Sequence, residues 1–136
     1  MILIDTHVLI WVMSRDIKLG SKARHSLDTS GVGEVLVSAI TPWEIALLDR
    51  KGRLPLGREV GQWLEDALGH PRIRLVPLEP AISVESTRLP GEFHSDPADR
   101  IIAATARHLG IPLLTADRAI LAYGEQGYLR VVDASL

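Results

Sequence analysis

Short unbroken apolar runs alternate along the chain with longer stretches in which apolar residues recur at helical spacing. Ile2-Leu3-Ile4, ended by Asp5 and Thr6, predicts a buried strand that leads directly into a helix over roughly Val8 to Met13. Ser21 is placed to cap an amphipathic helix running through Leu27, with Lys22 and Arg24 on its exposed side and Gly31 and Gly33 in the loop that follows. Val35-Leu36-Val37 is a second strand. Thr41-Pro42-Trp43-Glu44 reads as a capping box, with Thr41 as N-cap, Pro42 at the first helical position and Glu44 at the third; the helix ends near Lys51 at Gly52. A helix from Arg58 to Leu68, a strand over Ile73 to Val76 and a helix over about Ala81 to Arg88 come next. Asp96 is a favoured N-cap, Pro97 fits the first position of its helix, and Gly110 stops it. The strand Ile111 to Leu114, a helix near Arg118 to Ala122 and the strand Leu129 to Val132 complete the pattern.

This alternation predicts an α/β fold, a three-layer α/β/α sandwich around a central, mainly parallel sheet of about five short strands. No repeat, linker or low-complexity tract divides the 136 residues, so residues 1–136 are expected to form one domain. The topology has a consequence for chemistry. In such sheets ligands bind beyond the carboxyl ends of the strands, and the crossover helices begin at that same edge. Asp5 and Asp117 follow strands. Glu44 shares a helical stripe with Leu47 and Leu48, and Asp99 one with Ile102, Ala103 and Ala106, so each sits on a first turn at the end of a face that packs inward. Four acids from four separated segments therefore converge at one rim, with Asp96 close by.

Charge changes the picture less than it first suggests. A net charge of −2 speaks against a strongly basic nucleic-acid binder, but setting these five acids aside leaves the rest of the chain at +3. With no cysteine there is neither a disulfide framework nor a thiolate metal site. The apolar opening from Met1 to Met13 lacks a basic n-region and is interrupted by Asp5 and His7, and no run approaches the ~20 apolar residues of a membrane span. A soluble, cytoplasmic protein is expected.

Clustered carboxylates repel one another and call for a counter-charge, which a divalent cation supplies. All-oxygen ligation favours magnesium or manganese over zinc, and a cation so held, retaining waters and open positions, suits phosphodiester hydrolysis. The residues also carry a resemblance. Ile-Asp-Thr at the start, Thr-Pro-Trp-Glu-Ile, Asp-Pro-Ala-Asp-Arg-Ile-Ile-Ala-Ala-Thr-Ala and Leu-Thr-Ala-Asp, in this order over most of the chain, resemble PIN-domain proteins, and among them the VapC-type ribonuclease toxins of bacterial toxin–antitoxin pairs. The resemblance implies a magnesium- or manganese-dependent endoribonuclease acting on RNA, held inactive by a cognate antitoxin protein, dimeric and able to assemble with the antitoxin into a hetero-oligomer. It places Asp5, Glu44, Asp99 and Asp117 on the family's four core acids, Asp96 on an additional acid of the toxin-like motif, and Thr115 on a frequent polar neighbour. A metal-activated water would then attack phosphorus, leaving a 5′-phosphate and a 3′-hydroxyl.

Plainer roles stand beside these. Asp96 is explained first as a helix cap that supports the site, and Thr115 equally well by hydrogen bonding to local backbone, with Thr6 as a third supporting candidate. None of the five histidines pairs as an acid–base couple, although His7 and His94 are placed to lie near the site. Arg50, Lys51, Arg53 and Arg58 read as a solvated face before an RNA or antitoxin contact. Trp11, Trp43 and Trp63 read as core or interface. Two enzymatic or signalling rivals fit less well: a haloacid-dehalogenase-type phosphohydrolase wants an aspartate where His7 stands, and a receiver-like domain wants a lysine that Leu113-Leu114-Thr115 lacks. A non-catalytic partner-binding module remains the alternative of a different class.

Overall fold

A computed structural model describes residues 1–136. Five short strands, β1 (Ile2–Ile4), β2 (Val35–Ser38), β3 (Ile73–Val76), β4 (Leu113–Thr115) and β5 (Val131–Asp133), form one all-parallel sheet in the order β3-β2-β1-β4-β5. Between them run α1 (Thr6–Ser14), α2 (Ser21–Asp28), α3 (Ile40–Arg50), α4 (Val60–Leu68), α5 (Pro80–Thr87), α6 (Pro97–Leu109) and α7 (Arg118–Glu125).

Strand alternation splits the core in two. Ile4, Val35, Val37 and Leu114 face one side, where they pack with Val8 and Leu9 of α1, Leu27 of α2, Ile45 of α3 and Trp63 of α4. Leu3, Leu36 and Leu113 face the other, against Ile82 of α5, Ile102, Ala103 and Ala106 of α6, and Ile120 and Tyr123 of α7. The sheet is thus covered on both faces, which is why its strands read as continuous apolar runs. The alanines of α6 are fully buried and let that helix approach the sheet closely.

Helix starts depart from expectation in three places. The Thr41 capping box does not form: α3 begins at Ile40, and the Ile40 N–H is received by Ser38 Oγ at 3.2 Å. Thr41 is buried instead, its hydroxyl 3.1 Å from that of Thr6. Pro42 then sits at the third helical position, harmless because first-turn N–H groups have no intrahelical partner, and Glu44 moves into the second turn. Ser21 does not cap α2; Gly20 precedes it, and the chain end supplies the acceptors, with Gly20 N–H bound to the Ala134 carbonyl and Ala23 N–H to that of Leu136. A Cβ at position 20 would lie 2.2 Å from the Leu136 backbone, so only glycine fits there. Finally α4 starts at Val60 rather than Arg58, because Glu59 caps it through the Gly61 N–H at 2.8 Å. Of the tryptophans, Trp63 is buried, Trp11 half-buried and Trp43 54% exposed, so Trp43 lies outside the core. No helix is long and apolar enough to cross a membrane.

After β1 and α1 the chain builds outward through β2 and β3, then returns through α5 and α6 to lay β4 on the other flank of β1. The switch point therefore lies between β1 and β4, where Ile4 is in register with Leu114, and in open α/β sheets this is where ligands bind.

Candidate active site

Both strands at the switch point end in a helix-capping aspartate. Asp5 caps α1, its Oδ1 accepting the Val8 N–H at 2.9 Å. Asp117 caps α7, its Oδ1 accepting the Ile120 N–H at 3.0 Å. Asp96 does the same for α6, accepting the Asp99 N–H at 2.9 Å. The amino-terminal ends of these helices, with their partial positive charge, are thus held against the same rim as the acids.

One cleft of about 320 Å³ is lined by Asp5, Thr6, His7, Trp11, Glu44, Asp96, Asp99, Ala116 and Asp117. All four acids expected at the site, and Asp96 with them, line it. Within the group, oxygens of Glu44, Asp96 and Asp99 lie within 4.8 Å of one another. Asp96 is therefore not only a cap: its carboxylate belongs to the tightest oxygen cluster. Asp5 and Asp117 stand on the strand side of the cleft and are cross-linked by Thr115, whose hydroxyl donates to Asp5 Oδ2 and accepts the Asp117 N–H at 3.0 Å. Thr6 bonds Thr41 and so ties the start of α1 to the helix that carries Glu44.

The environment disfavours charge on Asp99 and Asp5. Burial pushes the Asp99 carboxyl from 3.8 up to about 7, reinforced by the charges of Asp96, Asp117, Glu44 and Asp5 in that order. Burial likewise raises Asp5, partly offset by the bonds from Thr115 and Val8 and by nearby His7. Such a site is deficient in positive charge. Its donors are all carboxylate oxygens, with neither thiolate nor paired imidazoles, and that set fits a hard divalent cation.

His94 was only loosely placed by sequence. It does not line the cleft but reaches one of its acids, with Nε2 3.3 Å from Asp99 Oδ2. Arg50, Lys51, Arg53 and Arg58 are exposed. Arg58 pairs with Asp66 at 2.6 Å, and Arg53 and Arg58 line a larger groove of about 750 Å³ that shares His7 and Trp11 with the acid cleft.

Residues 2–126 match the PIN domain family model, a span that contains every acid of the cleft. Ribonuclease VapC22 of Mycobacterium tuberculosis is 34% identical over 119 residues, 88% of either chain. Two solved structures share the fold over 98% of both chains: a toxin–antitoxin complex from Klebsiella pneumoniae, with 21% identity and a TM-score of 0.66, and FitAcB from Neisseria gonorrhoeae, with 22% identity and a TM-score of 0.68.

Proposed function

The chain belongs to the PIN-domain family, and on that premise we propose that it is a divalent-metal-dependent endoribonuclease, the toxin of a toxin–antitoxin pair. One observation carries the reading: five carboxylates from four separated segments line a single cleft in which Asp99 is pushed up to about 7. An acid cluster with that penalty is an arrangement for holding a cation, since as bare structure it only costs stability.

Asp5, Glu44, Asp99 and Asp117 are the proposed ligands and catalytic acids, with magnesium as the ion and manganese as its substitute. When bound, the cation supplies positive charge to the phosphodiester oxygens and a water of lowered pKa. The chain's own residues do the rest. Asp99, raised to about 7, would have to give up its proton to hold the cation. Asp5 has both oxygens engaged by Val8 and Thr115, so its carboxylate is fixed before any ligand arrives. Asp117 spends Oδ1 on the α7 cap and keeps Oδ2 free to orient a water or the ion. Asp96 adds charge beside Glu44 and Asp99. Thr115 and Thr6 act from behind, by holding the acids and their helices in place.

The partners follow from the relatives. One structural neighbour is described as a toxin–antitoxin complex, and we extend that to this chain as a cognate antitoxin; a homodimeric toxin and a hetero-oligomer of the two are what the family resemblance implies. The groove beside the cleft, apolar along Leu54, Leu56 and Trp63 and edged by Arg53 and Arg58, offers a surface for a chain entering the site.

The test is cleavage of an end-labelled RNA of defined sequence by the purified protein with Mg2+, with Mn2+ and with chelator. Cutting that requires the ion and leaves 5′-phosphate and 3′-hydroxyl ends is expected. Cutting that survives chelation, or cyclic-phosphate ends, would overturn the mechanism. Ion-dependent hydrolysis of phosphate esters but not of RNA would leave a phosphohydrolase of another class, and no hydrolysis with any ion a partner-binding module.

A further inference from the structure

The segment joining α5 to α6 is fixed by more contacts than a connecting loop requires. Arg100, on the first turn of α6, donates from Nε to the Ser86 carbonyl at 2.8 Å and from Nη1 to the carbonyls of Phe93 at 3.0 Å and His94 at 3.2 Å. Its guanidinium lies 5.9 Å from the centre of the Phe93 ring. Phe93 in turn stacks on the His94 imidazole at 4.5 Å and meets Tyr123 edge-on at 4.9 Å, while the Tyr123 hydroxyl donates to the Pro90 carbonyl at 2.6 Å. The imidazole is therefore held on one face by a ring that is itself anchored to the core.

Both of its nitrogens are committed. Nδ1 accepts the Asp96 N–H at 3.3 Å. An acceptor at Nδ1 puts the ring proton of the neutral imidazole on Nε2, and Nε2 is the atom 3.3 Å from Asp99 Oδ2. Asp99 returns to the same loop through its own N–H, bound to Asp96 Oδ1 at 2.9 Å. His94, Asp96 and Asp99 form a closed ring of contacts in which the tautomer is set by a backbone N–H and aimed at a carboxylate of the acid cluster.

We propose that His94 is the positioning residue for Asp99: held by Arg100 and Phe93, it engages Oδ2 through Nε2–H and so leaves Oδ1 to face the cation. The proposal rests on the metal-site reading above and adds a specific orienting group to it. Carboxylates that bind metals are themselves hydrogen-bonded, and the partner narrows the orientations the ligand must give up on binding.

Three variants separate this from other roles. Gln places its side-chain N–H near the position of Nε2, whereas Asn reaches only as far as Nδ1. His94→Ala and His94→Asn should weaken Mn2+ binding, followed by electron paramagnetic resonance of the free ion, by about 10- to 100-fold. They should lower kcat while leaving KM for RNA in place at saturating ion, and His94→Gln should retain most of the wild-type affinity. Thermal midpoints of the metal-free proteins report whether the loop has collapsed; if His94→Ala does not fold, the Asn and Gln pair still decides. Wild-type Mn2+ affinity in His94→Asn, or equal losses in Asn and Gln, overturns the proposal. So does a rise in KM with metal binding intact, which would make His94 an RNA contact. A wild-type protein that binds no Mn2+ and cuts no RNA would instead overturn the reading of the cleft itself.

Discussion

Thr115 and Asp5, 110 residues apart in sequence, share a buried hydrogen bond at the one place where β1 and β4 end side by side. The same hydroxyl accepts the Asp117 N–H. Thr115→Val keeps the shape and removes both bonds, leaving a buried carboxylate oxygen of Asp5 and the part-buried Asp117 N–H without partners. A loss of about 1–3 kcal/mol in urea unfolding is expected for the unsatisfied groups, together with reduced metal affinity, because Asp5 becomes harder to ionise. Thr115→Ser, which retains the hydroxyl, should restore most of both.

Asp99→Asn separates stability from function. At neutral pH and without metal, removing a carboxyl crowded by Asp96, Asp117, Glu44 and Asp5 should stabilise the fold by about 0.5–2 kcal/mol, the range of single stabilising substitutions. The same change should abolish RNA cleavage. Asp5→Asn should also abolish cleavage. Full activity in either variant would remove that residue from the site.

The raised Asp99 carboxyl makes stability depend on pH. Unfolded, it titrates near 3.8; folded and metal-free, near 7. The folded state holds the extra proton between these values, so its contribution is fully present below about 3.8 and is lost as pH rises through about 7. Asp5 shifts in the same direction. Denaturant titrations of the metal-free protein should show stability falling across that window, and Asp99→Asn should flatten the slope. Binding of Mg2+ should tighten over the same window and release protons, measurable by calorimetry in buffers of different ionisation enthalpy.

Added metal should stabilise the wild-type fold by about 2.7 kcal/mol at a concentration one hundred times Kd, read as a rise in Tm. Asp99→Asn should show no such rise. A wild-type Tm indifferent to both Mg2+ and Mn2+ would argue that the acids hold no ion.

Asp96 has two duties that one pair of variants can part. Asp96→Ala loses both the cap of α6 and the carboxylate, at a cost of about 1 kcal/mol for the cap. Asp96→Ser keeps a capping oxygen and loses only the charge. If Asp96 contributes to the oxygen cluster, the serine variant should be nearly as stable as wild type yet bind Mn2+ more weakly.

How far the sequence disclosed this arrangement differs from residue to residue. Asp5 and Asp117 were legible because an acid directly after a short apolar run lands at the carboxyl edge of a parallel sheet, and Asp96-Pro97 because that pair starts helices by purely local chemistry. Glu44 was placed at the right edge by a mistaken route. Thr41 is spent on a buried contact with Thr6, and Ser38 serves the helix start in its place, a trade visible only once α1 and α3 are packed. His94 shows the limit most clearly. No periodicity governs its loop, and its role depends on Arg100 folding back onto carbonyls six and seven residues earlier. Asp96 was legible as a cap that supports the site, but its place inside the oxygen cluster shows only once Glu44 arrives from another helix.

The order of the sheet also sets the moment at which the cleft comes into being. β4 is made late but belongs beside β1, which is made first, and it carries Thr115 and Asp117 with it. Until residues near 113–117 leave the ribosome, β1 has an open flank, Asp5 lacks its bond from Thr115, and the α6 acids have no opposite wall. The strand order thus makes the acid cleft a late product of the chain: none of its walls is complete until the last of them, near residue 117, is in place.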